Sequence, residues 1–143
     1  MRQRFLSHKP EQTIRVAKAL AKSMQGGEVI ALHGDLGTGK TTFAQAFAKA
    51  LGVKKRVQSP TFILMQEYEL KLRGPIKKLV HVDAYRGDDV QFKAIGLLEY
   101  FEDPHAVLLI EWADRIQRIL PKKLITVHFT HRGGDEREIL VAT

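Results

Sequence analysis

The sequence has 143 residues, which fits one domain with a real core and is short for two. Hydrophobic residues at 44% and charged residues at 27% exclude a disordered chain, the longest apolar run (106–110) falls far below the roughly 20 residues of a membrane helix, and the absence of cysteine excludes disulfides and thiolate metal sites. A formal charge of +7 favours polyanions such as nucleotide phosphates, nucleic acid or an acidic protein surface.

Residues 1–9 carry no apolar stretch of signal-peptide length, so a cytosolic protein without membrane attachment is expected. The basic clusters at 54–56, 71–78 and 122–123 lack the interleaved aromatics of single-stranded nucleic-acid platforms and read first as solvated faces.

Residues 11–24 predict a first helix, with Ile14, Ala17, Ala21 and Met24 on one stripe, Leu20 beside it, Pro10 near the start and Gly26-Gly27 as the stop. Residues 29–32 are apolar and partly β-branched, as in a buried strand. Directly after them stands Gly34-Asp35-Leu36-Gly37-Thr38-Gly39-Lys40-Thr41, the pattern of a phosphate-binding loop. Glycine here lets successive backbone N–H groups approach phosphate oxygens, and a following helix aims its N-terminus at the same anion. Lys40 is positioned to reach the outer phosphates and the Thr41 hydroxyl to bind an accompanying Mg²⁺. The plain alternative is a ligand-free turn, but strand, loop and helix occur in the required order. Phe43, Ala46, Phe47, Ala50 and Leu51 recur at helical spacing, and Gly52 stands at the C-cap.

Ser59-Pro60-Thr61-Phe62 reads as a loop, either a simple turn or one whose Thr61 senses a γ-phosphate or completes a Mg²⁺ shell. Residues 62–72 predict a strand, 73–75 a turn and 76–83 the returning strand of a hairpin. With a period of two, Val80, Val82 and Ala84 share one face while His81, Asp83 and Tyr85 share the other. Asp83 fits a catalytic or metal-bound carboxylate, or else a strand-end cap or a partner for Arg86.

Asp88-Asp89 offers a cap to a helix carrying Val90, Ala94, Leu97, Leu98 and Phe101, which Gly96 weakens or splits. Residues 107–110 form an apolar run without alternation, as in a strand buried on both faces, and end in Glu111-Trp112. This is the shape of a Walker B strand, with Glu111 holding Mg²⁺ directly or through water. Trp112 either walls the site or packs, and packing is the usual role of a lone tryptophan. A short helix at 113–120 stopped by Pro121 and a hairpin of 124–131 with 137–142 complete the chain. His128 and His131, three apart on a strand, face opposite ways and make no metal pair.

Gly34 to Thr42, Ser59-Pro60-Thr61-Phe62, His81-Val82-Asp83-Ala84-Tyr85-Arg86 and Ile110-Glu111-Trp112, in this order and spacing, resemble the TsaE (YjeE) family. Its members are small bacterial P-loop ATPases of tRNA threonylcarbamoyladenosine synthesis. The resemblance covers nearly the whole chain without departure at these positions; the basic material at 54–56 and 71–78 is individual to it. It implies an α/β fold of the P-loop NTPase type, a three-layer sandwich with a central mixed β-sheet flanked by helices, and residues 1–143 as a single ATPase domain. ATP would be held by Asp35, Leu36, Gly37, Thr38, Gly39, Lys40, Thr41 and Thr42, with Thr61 near the γ-phosphate. Mg²⁺ would be held by Thr41 and Glu111. Asp83, Lys40 and Glu111 would form the catalytic set, Asp83 activating or positioning water, with some exchange of roles between the two acids left open. It further implies docking on a TsaB–TsaD heterodimer, chiefly on TsaD, with tRNA met only through that complex.

Three other readings compete. A small-molecule kinase would use the same loop, with Arg115 and Arg118 over the phosphates. A GTP-dependent switch lacks its Asn-Lys-x-Asp segment here. A basic adaptor would bind tRNA or protein with nucleotide as a structural part only.

Overall fold

The computed structural model describes residues 1–35, 37–71 and 74–143. Leu36, Leu72 and Arg73 lie outside the described residues, and with them part of the expected phosphate loop, the expected end of the 62–72 strand and the start of its turn.

In chain order the elements are β1 (Arg2–Ser7), α1 (Pro10–Ser23), β2 (Val29–His33), α2 (Lys40–Leu51), β3 (Met65–Glu69), β4 (Lys78–Asp83), α3 (Asp89–Ala94), α4 (Leu97–Phe101) and β5 (Ala106–Glu111). A 3₁₀ helix (Ala113–Ile119), β6 (Ile125–Gly133) and β7 (Glu136–Ala142) follow. The seven strands form one mixed sheet in the order β1-β7-β6-β2-β5-β4-β3. Its centre is parallel: β2 pairs with both β5 and β6, and β4 with β5. Both edges are antiparallel, through β3–β4 on one side and β6–β7–β1 on the other.

Alternation within the central strands builds two cores. Ile30, Leu32, Leu79, Val107 and Leu109 face α1 and α2, where Val16, Leu20, Phe43 and Phe47 close the layer. Val29, Ala31, Val80, Val82, Leu108 and Ile110 face α3, α4 and the 3₁₀ helix, around Phe92, Leu97 and Ile116. Each such large side chain, fully buried, contributes about 1.5–3 kcal/mol. Every residue of β5 is buried, as expected of a strand covered on both faces. The expected α/β three-layer architecture is therefore present, and no helix among the described residues is long and apolar enough to cross a membrane.

Three local expectations need correction. No strand was expected at β1, because Arg2, Gln3 and Arg4 hide its alternation. It forms as a polar edge strand against β7, where only Phe5 joins the core and Ser7 is buried. The strand expected from residue 62 begins only at Met65. Residues 60–64 instead close a turn, in which the Leu64 N–H donates to the Pro60 carbonyl at 2.7 Å and Leu64 takes a left-handed φ of 69°. Phe62 therefore stays 81% exposed, with the Arg86 guanidinium 4.7 Å from its ring centre. The helix at 113–120 is a 3₁₀ helix kinked at Ile116. The weak point at Gly96 does split α3 from α4, and Asp88 caps α3 in a reciprocal capping box with Gln91.

Candidate functional site

The parallel order brings the carboxyl ends of β2, β4 and β5 to one edge of the sheet, where ligands of open α/β sheets bind. From β2 the chain enters the glycine-rich loop. A Cβ on Gly34 would lie 2.8 Å from the Phe129 carbonyl oxygen and 3.0 Å from Thr38 Oγ1, so only glycine lets the loop leave the strand against β6. Gly39, at φ 103°, is the N-cap of α2 and turns the backbone N–H groups of the first turn outward. The Thr38 hydroxyl donates to the Asp35 carbonyl at 2.6 Å and closes the loop on itself.

The loop opens into a cleft of about 1000 Å³, at the upper end of small-molecule sites. Gly37, Thr38, Gly39, Lys40, Thr41 and Thr42 line it, as do Thr61, Asp83 and Glu111. Of the expected ligand-binding residues that are described, Asp35 is not among the lining residues; it is exposed at the loop's entrance.

Lys40 is only 7% exposed, and its ammonium lies 4.7 Å from the centre of the Trp112 ring. Among the described residues it has no carboxylate partner. Trp112 takes a left-handed φ of 58° directly after Glu111, strain of the kind that collects at functional sites. It packs against the second core and also walls the cleft, so the two roles that the sequence offered as alternatives are both filled. Tyr85, tilted against Trp112 at 5.0 Å, extends the wall.

The two acids have different surroundings. Both are buried and stand opposite each other in the β4–β5 register. Asp83 accepts the Ser59 hydroxyl at 2.5 Å and the Thr61 hydroxyl at 2.9 Å on Oδ2, and the Tyr85 N–H at 2.9 Å on Oδ1. It thus anchors the loop before β3 and also caps its own strand end, whereas Arg86 turns away to Phe62. Glu111 meets His81 instead, with Nε2 and Oε2 2.7 Å apart.

Eight cleft residues come from parts of the chain where no site was expected, six around the β1–α1 junction and two around the β6–β7 turn. Among them, His8 and Glu11 enter from the β1–α1 junction, Asp135 from the β6–β7 turn and Arg137 from the start of β7. The junction is held by the Ser7 hydroxyl, which donates to the Lys9 carbonyl at 2.9 Å and pairs with the Thr13 hydroxyl at 2.8 Å. The pairing of β1 with β7 joins these two ends of the sequence, and the pairing of β6 with β2 sets them beside the phosphate loop.

Under the loop, His33 and His128 pair in register across β2 and β6, their rings stacked 4.5 Å apart. Burial first, then the neighbouring His128 and the Lys40 charge, hold the His33 pKa below its ordinary 6.5; Asp114 opposes this. A histidine whose folded pKa is lowered stabilises the fold fully above pH 6.5, and that contribution is lost as pH falls through the lowered value. Melting temperatures measured between pH 7 and 5 should therefore fall more steeply for the native protein than for His33→Tyr, which keeps an aromatic stack but no titrating ring. Parallel profiles would contradict this.

A profile of the family described as "Threonylcarbamoyl adenosine biosynthesis protein TsaE" matches residues 7–139. The chain is similar to the tRNA threonylcarbamoyladenosine biosynthesis protein TsaE of Bacillus subtilis (strain 168), 42% identical over 130 residues covering 91% of this chain and 78% of that one. It is 32% identical to the protein of the same description from Treponema pallidum (strain Nichols), over 97% of this chain and 99% of that one. The crystal structure of Bacillus subtilis YdiB superposes with a TM-score of 0.80 at 36% identity, covering 99% of this chain and 84% of that one. With the profile spanning nearly all of the chain, and with relatives of this identity matching it almost end to end, the chain belongs to the TsaE family.

Proposed function

We propose that the chain is a Mg²⁺-dependent ATP-binding protein and ATPase, working as one domain over residues 1–143. Its role would be to support threonylcarbamoyl modification of adenosine 37 in tRNAs that read codons beginning with A, in the cytoplasm, together with TsaB–TsaD and chiefly in contact with TsaD. Part in tRNA threonylcarbamoyladenosine biosynthesis follows from the family. The observation that carries the nucleotide reading is Lys40, a nearly buried cation at the start of a helix, facing a cleft and supported by an indole ring rather than a carboxylate. A buried charge without a counter-ion is costly, and phosphate oxygens at the helix N-terminus would supply one.

Mg²⁺ fits the residues present. Thr41 and Glu111 line the same cleft and offer a hydroxyl and a carboxylate, hard oxygen donors of the kind Mg²⁺ takes beside phosphates and water. Bound there, the ion would offset charge on the phosphates. The protein's own part would then be positioning: Lys40 and the first turn of α2 would hold the phosphates, and Thr61 and Asp83, which line the same cleft, would orient the γ-phosphate and the attacking water. The nucleoside would occupy the remainder of the cleft, between the β1–α1 junction and the β6–β7 turn.

The kinase reading is less well supported. Arg115 lies against the Tyr85 ring, and with Arg118 it lines a separate, smaller hollow beside Asp88, Asp89 and Asp114.

Steady-state ATP hydrolysis by the purified protein, alone and with a TsaB–TsaD heterodimer, tests the proposal. Clear stimulation by the heterodimer is expected. A folded, ATP-binding protein that the heterodimer leaves unchanged would overturn the partnership and direct attention to a phosphoryl acceptor.

A further inference from the structure

His81 is one of the least exposed polar residues of the chain, at 1%. It sits two positions before Asp83 on β4, between Leu79 on its own strand and Leu109 beside it on β5, on the face that packs against the α1–α2 layer. An aliphatic side chain would suit such surroundings. Among the described residues the imidazole instead makes one polar contact, Nε2 to Glu111 Oε2 at 2.7 Å, and its buried Nδ1 has no partner. A proton on Nδ1 would be a buried, unpaired N–H, so the ring proton belongs on Nε2, donated to the carboxylate. This single bond engages Oε2 and leaves Oε1 as the oxygen Glu111 can offer to the cleft it lines.

We propose that His81 is a positioning residue for Glu111: it fixes the carboxylate so that one defined oxygen is presented to the metal accompanying the nucleotide. The inference rests on the reading of Glu111 as a Mg²⁺ ligand. Groups that orient a ligating side chain typically change metal affinity 10- to 100-fold when removed. The ring stays out of the chemistry itself, because it is 1% exposed and does not line the cleft.

The test uses His81→Leu, which keeps apolar bulk and removes the donor, and His81→Gln, whose side-chain amide offers an N–H at a reach close to that of Nε2. Binding of a fluorescent ATP analogue is followed while Mg²⁺ is titrated, with a parallel measurement in EDTA and a melting curve for each protein. In His81→Leu the Mg²⁺ concentration for half-maximal enhancement should rise about 10- to 100-fold, while binding in EDTA stays unchanged; His81→Gln should recover most of the difference. Combining His81→Leu with Glu111→Ala should add nothing to the Mg²⁺ dependence of Glu111→Ala alone. An unchanged Mg²⁺ midpoint in a folded His81→Leu protein would overturn the inference, as would a His81→Gln protein with a melting curve like the native one and no recovery. If the native protein itself shows no Mg²⁺ dependence, the metal reading of Glu111 fails, and this inference with it.

Discussion

Lys40→Ala should lower ATP hydrolysis on the order of 10²- to 10³-fold, the usual loss when one preorganised donor is taken from developing charge. The side chain is nearly buried, its ammonium is held over Trp112, and the helix behind it begins at Lys40 itself. Removing it takes away the cation that would meet the outer phosphates but, among the described residues, breaks no ion pair with a carboxylate. The melting temperature without nucleotide should therefore change little, and the stabilisation by added ATP should largely disappear. Unchanged hydrolysis in this variant would remove the loop from the account.

The second large effect separates the two acids. Glu111→Ala should abolish Mg²⁺-dependent turnover while the fold survives, because one of its oxygens is engaged only by His81 and it lines the cleft with Thr41. Asp83→Ala should leave Mg²⁺-ATP binding nearly intact and slow hydrolysis. Its oxygens already accept two loop hydroxyls and a backbone N–H. The Ser59 and Thr61 hydroxyls both hold Oδ2, so the loop bearing Thr61 and the carboxylate are mechanically linked, while Oδ1, with one bond, keeps acceptor capacity for a water. Hydrolysis rates and nucleotide affinities of both variants, compared at several Mg²⁺ concentrations, distinguish the assignments. Weakened Mg²⁺-ATP binding in Asp83→Ala, with normal binding in Glu111→Ala, would exchange the two roles.

Much of this site was legible in the sequence because its core is written in short contiguous runs. The loop between β2 and α2 carries its glycines, lysine and threonine within eight residues, and the apolar run ending in Glu111 reads as a buried strand without help from the rest of the chain. What stayed hidden depends on long-range pairing. His81 and Glu111 are thirty residues apart and meet only because β4 and β5 are parallel neighbours. His8 and Arg137 share a cleft because β1 closes against β7, and β1 was invisible because its polar residues face solvent. Phe62 and Ile63 suggested a strand by composition. The Leu64 turn and the two hydroxyl anchors on Asp83 outweigh that propensity and leave both side chains exposed. For Trp112 the sequence left walling and packing as alternatives, and it does both, since contact with Lys40 requires the loop and the end of β5 to lie side by side.

The most direct test of the central claim is an equilibrium titration of the purified protein with ATP, in Mg²⁺ and in EDTA. Saturable binding to one site, tighter in Mg²⁺ and lost in Lys40→Ala, is the expected result. A folded protein that shows no saturable ATP binding in either condition would contradict the account.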